Sequence, residues 1–288
     1  MVEDDQIKTK ISPFAIREGE IKTFDGKDGY VSMNQIIHRI NIGHISDIHF
    51  AIIELVNEFE FMTSRQLLQM LEWKGIEVGS QDKLNNKLEQ LVKSKILTRY
   101  YFNSEDGKGI YRVYCLEKMG KYLLNSRGVE CKWQPTDNTK PVAMIKKRLA
   151  SNQLLISYKE KVQAFDSFEI KVPMNAKQMG KQFKATGGKV TLSKNGKSID
   201  FIFEVIRRED DWQKKLAEKM KLYKDFYSNF VAMDSGFRTM PQLILLCEDE
   251  KHMAETFREI VVNGLEIDKI NLNETTPIDA LNTLIKIK

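Results

Sequence analysis

Apolar side chains recur at three- and four-residue spacing through three successive windows, and the pattern then switches to alternation. Between residues 47 and 60, Ile52, Leu55, Val56 and Phe59 share one face, which predicts a helix. Phe61-Met62-Thr63-Ser64 breaks that face. The Thr63 hydroxyl suits an N-cap, since it can accept a bond from an orphan backbone N–H of a following helix. Leu67, Leu68 and Leu71 give that second helix its buried side, and Lys74-Gly75 ends it, with Gly75 fitted to a left-handed C-cap. Ser80 then opens a third helix, whose core stripe is Leu84, Leu88, Leu91 and Val92. Residues 96–102 and 110–116 are β-branched and aromatic in alternation, which predicts a hairpin around the polar turn 103–109. A fourth helix starts at Lys118, with Leu116, Met119, Leu123 and Leu124 turned inward.

Helix, helix, turn, helix, hairpin, helix over residues 45–124 is the order of a winged helix-turn-helix. Such a module places its third helix in a DNA groove. Here the outer surface of that helix carries Gln81, Lys83, Asn85, Asn86, Lys87 and Gln90, whose amides and amines reach base edges and phosphates. Arg99, Lys108 and Arg112 on the hairpin are the candidate phosphate contacts of the wing. Asp82, Glu89, Glu105 and Asp106 dilute the positive face, so a protein-docking or dimerisation module is the alternative reading.

The remainder divides at two breaks. Residues 1–44 read as an N-terminal arm, turn-rich at Asp25-Gly26-Lys27-Asp28-Gly29. Residues 45–126 are the winged helix. Gly128, Pro135, Thr136, Asp137, Asn138 and Pro141 mark 127–141 as a linker. Residues 142–288 read as an α/β domain. It opens with a helix over 142–161 that carries Lys146, Lys147 and Arg148, candidates for extending a DNA contact. Strands follow at 167–172, 189–192 and 198–205, the last two joined at Asn195-Gly196, the strongest short hairpin signal. A helix over 211–230, a doubly buried strand over 242–247, a helix over 251–263, a strand over 269–272 and a last helix from Pro277 complete a mixed sheet flanked by helices.

Composition narrows the function classes. The 288 residues are 42% apolar and 30% charged, with a net charge of +5, compatible with nucleic acid without demanding it. No apolar run approaches membrane-span length, and the acidic start Met1-Val2-Glu3-Asp4-Asp5 lacks a signal-peptide plan, so a cytoplasmic location is expected. Cys115, Cys131 and Cys247 are too far apart for a zinc site, and His38, His44, His49 and His252 have no ligand spacing. No cofactor is expected. Gly187-Gly188 lacks the Lys-Ser/Thr of a phosphate loop.

Several short stretches resemble the replication-relaxation family of plasmids and mobile elements. They are Thr63-Ser64-Arg65-Gln66-Leu67, the segment from Leu88 through Leu91-Val92-Lys93-Ser94-Lys95-Ile96-Leu97, Tyr114-Cys115-Leu116-Glu117-Lys118-Met119-Gly120, Phe203-Glu204-Val205, and Lys219 to Tyr223. The resemblance implies a winged helix followed by a restriction-endonuclease-like α/β domain. Such a nuclease holds Mg²⁺ between an Asp on one strand and the Glu of a Glu-x-Lys on the next. Glu204 fits that Glu, but Ile206 stands where the Lys belongs, and Lys189-Val190-Thr191 offers no Asp. Asp200 lies at even spacing from Glu204, so both project from one face of a strand. With the site incomplete, both carboxylates are expected to face solvent or pair with nearby Lys and Arg, such as Arg207 and Arg208, and the domain reads as degenerate. The leading expectation is thus a DNA-binding protein acting in replication, transfer or transcriptional control. Its candidate partners are double-stranded DNA, a second copy, and replication or transfer proteins. A metal-dependent nuclease using Asp200 and Glu204, and a protein adaptor, are the alternatives.

Overall fold

A computed structural model describes residues 11–26, 29–104, 111–237, 239–262 and 270–272. It is a mixed α/β structure whose chain forms two compact units, 17–152 and 1–16 with 153–288.

In the unit 17–152, strand β1 (Ile21–Phe24) and helix α1 (Met33–Asn41) precede the region read as helical from its periodicity. Helix α2 (Asp47–Phe59), the short strand β2 (Met62–Thr63), α3 (Ser64–Trp73) and α4 (Gln81–Lys93) follow. Strands β3 (Leu97–Asn103) and β4 (Arg112–Leu116), then α5 (Lys118–Ser126), complete the run. These are the element types and positions that the apolar spacing predicts. The caps are also those expected. Thr63 Oγ1 accepts from the Gln66 N–H at 3.2 Å, and Gln66 Oε1 accepts from the Thr63 N–H at 3.1 Å, a reciprocal capping box. Ser80 Oγ accepts from the Lys83 N–H at 3.2 Å. Gly75 ends α3 at φ +73°, where a side chain would be strained. Ile52, Leu55, Phe59, Leu67, Leu71, Leu84, Leu88, Leu91, Val113 and Leu124 are all buried.

Two sequence expectations change in this unit. Residues 17–44 are not a bare arm. The strand β1 pairs antiparallel with β3, from Ile21 opposite Asn103 to Phe24 opposite Tyr100, giving a sheet of order β1-β3-β4-β2. Ser32 caps α1, and Ile36 anchors it in the core. The signal was faint because β1 has four residues and α1 buries a single side chain. Residues 127–141 contain a 3-10 turn (Pro135–Thr139) that packs onto the unit. Trp133 is buried there, its carbonyl accepts from Lys121 Nζ at 2.8 Å, and Asn138 Oδ1 accepts from the Trp133 ring N–H at 3.3 Å. The division between units instead falls between Asn152 and Gln153, inside helix α6 (Val142–Lys161).

In the other unit, β5 (Phe165–Glu169), β8 (Gly188–Lys194) and β9 (Lys197–Val205) form an antiparallel meander. Between β5 and β8 lies the hairpin β6 (Pro173–Ala176) with β7 (Lys181–Lys184), which the sequence pattern did not reveal. Helix α7 (Trp212–Ser228) and the short α8 (Ala232–Ser235) lead to β10 (Gln242–Leu246), which runs parallel to β9. Helix α9 (Glu250–Val262) then leads to β11 (Ile270–Leu272), parallel to β10. The mixed sheet has the order β11-β10-β9-β8-β5. One of its faces, with Ile202, Leu243 and Leu245, packs with Leu216, Met220 and Tyr223 of α7 and Ile260 of α9. Phe203, on the opposite face, meets Tyr158 of α6 edge-on at 5.4 Å. The strand Gln242–Leu246 is buried at all positions but the first, as its continuous apolar run implies. The helix expected from Pro277 lies outside the described residues.

Candidate nucleic-acid interface

Helix α4 is amphipathic in a way that exposes polar reach rather than charge alone. Leu84, Leu88, Leu91 and Val92 are buried. Lys83, Asn86 and Gln90 are exposed, and Gln81, Asn85 and Lys87 are half-buried. Positions 83, 86, 87 and 90 fall three and four residues apart, so they form one stripe on the helix surface. Among the described residues neither Lys83 nor Lys87 forms an ion pair. Gln81 and Asn85 are tied to each other, Nε2 donating to Oδ1 at 3.2 Å.

Gln90 is held from below. Its Oε1 lies 2.8 Å from Nε2 of His49, in the first turn of α2, and the Ser46 N–H donates to His49 Nδ1 at 3.1 Å. Burial lowers the His49 pKa, and the nearby Lys87 charge adds to the lowering against the opposing hydrogen bond from Gln90. Sequence spacing gave no sign of this contact, which joins residues 41 positions apart.

The hairpin arginines behave differently from one another. Arg99 is not a surface phosphate contact, because it is buried at 6% exposure. Its Nε lies 2.9 Å from Asp25 Oδ2 and its Nη1 lies 2.7 Å from Glu89 Oε2. Burial opposes its charge, but the bonds to Glu89 and Asp25 prevail and raise its pKa. Arg99 and Arg112 share a face of the hairpin, because Arg112 stands opposite Tyr101, two positions from Arg99, and only Arg99 is also covered by Glu89 of α4. Arg112 remains at the surface with its Nε 3.2 Å from Asp25. Lys108, with Glu105 and Asp106, lies outside the described residues. Lys146 and Arg148 are also internal. Lys146 is buried and pairs with Glu20, and Arg148 pairs with Glu60 at 3.3 Å. Their predicted exposure was wrong because the first turns of α6 pack on their own unit.

In the other unit, Asp200 and Glu204 share a face of β9, as the even spacing requires; neither faces solvent, and the basic partner of Glu204 is Lys219 rather than Arg207 or Arg208. Thr191 Oγ1 donates to Asp200 at 2.6 Å across the β8–β9 ladder. Glu204 accepts from Thr186 Oγ1 at 2.9 Å and from Tyr223 Oη at 2.7 Å, with Lys219 Nζ at 3.6 Å. Burial and the Glu204 charge hold Tyr223 protonated, well above the usual phenol range. Four strand residues span about 13 Å, so the two carboxylates cannot meet on one cation, whose oxygen ligands lie within about 2.6 Å of it. Arg208 is spent on Asp249, with two bonds at 2.7 and 3.0 Å. Among the described residues no group of three or more His, Cys, Asp or Glu is placed to hold a metal ion.

The glycine pair before β8 has a packing role. A Cβ on Gly187 would lie 2.6 Å from Phe203 Cβ, and one on Gly188 would lie 2.3 Å from the Glu169 carbonyl. No helix among the described residues is long and apolar enough to cross a membrane.

No family model matches the chain. No curated protein matches it either. Among solved structures it shows a likeness to restriction endonuclease FokI, at 11% identity and a TM-score of 0.30, covering 82% of this chain. The chain spans 43% of that protein's length.

Proposed function

We propose that the segment from α2 to α5 is a winged helix-turn-helix that binds double-stranded DNA, with α4 in the major groove and the β3–β4 hairpin beside it. The observation that carries this reading is the stripe Lys83, Asn86, Lys87 and Gln90, displayed on a helix whose opposite side is locked into the core. A rigid helix with free cationic and amide ends supplies both kinds of contact a duplex needs, phosphate positioning and base readout. Arg112 adds a phosphate contact. Its bond to Asp25 is at the surface, where an ion pair contributes no more than about 1 kcal/mol and exchanges readily. The residue stretches similar to the replication-relaxation family support a role in replication, transfer or transcriptional control of a mobile element. The mixed-sheet unit would then be a restriction-endonuclease-like scaffold that lacks a complete metal site.

The test is duplex binding by the full chain, followed by fluorescence anisotropy at several salt concentrations. Lys87→Ala is expected to weaken binding at every sequence and to reduce the salt slope by about 1. Asn86→Ala is expected to change base preference. A Lys83→Ala, Asn86→Ala, Lys87→Ala triple variant that keeps its circular dichroism and its affinity would overturn the docking.

A further inference from the structure

We propose that His49 fixes the hydrogen-bonding polarity of Gln90, so that Gln90 presents donors only and reads a guanine edge in preference to adenine. This rests on the DNA-binding reading of α4.

The polarity follows from proton counting. His49 Nδ1 receives the Ser46 backbone N–H at 3.1 Å, with the Ser46 hydroxyl, which can donate as well as accept, also at 3.1 Å, and a nitrogen that accepts a backbone N–H carries no proton of its own. The ring is 2% exposed, and its pKa is lowered by burial, so the neutral form dominates and its one proton sits on Nε2. Nε2–H therefore donates, and the atom it meets at 2.8 Å must be an acceptor, the Oε1 of Gln90. The Ser46 amide thereby determines, through one imidazole, which end of an exposed glutamine turns inward.

What remains outward is the Nε2H₂ group. It has no acceptor among the described residues, and it stands on the same stripe as Lys83 and Lys87. A glutamine reads adenine by using both ends of its amide at once, accepting from N6 and donating to N7. Here the carbonyl end is turned toward a buried ring, so that two-point match is lost. Guanine offers two acceptors, O6 and N7, on the same edge, and an amide that only donates is matched to it. His49 is thus a positioning residue, and Gln90 sets specificity.

Two readouts separate this inference from the docking on which it rests. In the free full-length protein, ¹⁵N chemical shifts of the His49 ring report the tautomer without any DNA. An Nε2-protonated ring at neutral pH is expected, and an Nδ1-protonated ring or an imidazolium would overturn the proposal. On DNA, the preferred site is selected from a randomised duplex pool, and four duplexes differing at one base pair are compared. Gln90→Ala is expected to lower the guanine-over-adenine ratio at one position by roughly tenfold, with the salt slope unchanged. His49→Phe, which removes the Nε2 donor, is expected to let adenine compete at that same position. Should Gln90→Ala leave every base preference intact while Lys87→Ala still weakens binding, the polarity argument fails and the docking stands. Should neither change binding, both fail.

Discussion

Arg99 shows what a single side chain gains from its neighbours. Its guanidinium is held between Asp25 and Glu89, and Glu89 also pairs with Lys93 at 3.6 Å. Removing the guanidinium leaves Glu89 with Lys93 and Asp25 with Arg112, both carboxylates part-exposed, and the lost bonds cost about 1–3 kcal/mol. Arg99→Ala is therefore expected to lower stability by that order in urea unfolding, and to leave the salt slope of DNA binding as it was. Loss of salt slope without loss of stability would return Arg99 to the phosphate-contact role. From sequence alone, Arg99 and Arg112 are equivalent basic residues on adjoining strands. Both reach Asp25, and the added bond from Arg99 to Glu89 of α4 tells them apart. The leucine stripes were legible because their periodicity is local, whereas polar partnerships formed by chain return leave no local mark. His252 carries a pH consequence of the same kind. It is fully buried, its Nδ1 accepts from the Glu248 N–H at 3.2 Å, and it meets Trp212 edge-on at 4.7 Å. Burial, with the Arg208 and Arg207 charges, lowers its pKa to about 3. The unfolded chain takes up this proton near pH 6.5 while the folded one refuses it, so the stabilisation is complete above that pH. It is lost on acidification toward about pH 3, at up to roughly 1.4 kcal/mol per pH unit. Unfolding free energies at pH 7 and pH 5 are expected to differ more in the native protein than in a His252→Gln variant, and equal differences would refute the assignment.

At the scale of elements, the helices α2 to α5 were readable because each combines an apolar stripe with a cap or a glycine stop. The hairpin β6–β7 was not, since Pro173-Met174-Asn175-Ala176 offers two apolar positions and its support is distant. Asp225 of α7 accepts from the Met179 N–H at 2.8 Å and the Gln178 N–H at 3.3 Å, holding the turn from 46 and 47 residues away. The entry to β8 was visible as Gly187-Gly188, but its meaning lies in the sheet. Gly188 sits at φ +80°, and any Cβ there meets the Glu169 carbonyl across the β5–β8 pair. Left-handed strain and backbone contact act together, so Gly188→Ala is expected to destabilise by at least about 2 kcal/mol. Gly196 in the β8–β9 turn has φ +75° with open space around it, so Gly196→Ala carries the strain without the clash and should cost less. Thermal unfolding of the two variants gives the comparison, and equal losses would remove the backbone-approach argument.

For the molecule as a whole, the expectation for the mixed-sheet unit is binding or support without DNA cleavage. A nuclease reading would rest on Glu204, and the structure shows what surrounds it. Thr186, Tyr223 and Lys219 engage both of its oxygens, so bringing a cation there means breaking bonds that the β9–α7 packing has already made. Ile206 is buried in the apolar cluster on the same face. The partners of Glu204 are all donors aimed at a carboxylate. Glu204→Gln turns one acceptor into a donor facing Tyr223 or Thr186, and an unsatisfied buried group costs about 1–3 kcal/mol. The expected result is a less stable protein that unfolds earlier in urea. Incubation with Mg²⁺ or Mn²⁺ on linear, supercoiled and single-stranded DNA is expected to give no cleavage by either the native protein or the variant. Cleavage by the native protein that disappears in Glu204→Gln while the variant remains folded would make the carboxylate catalytic, and would put nuclease activity ahead of binding as the task of this unit.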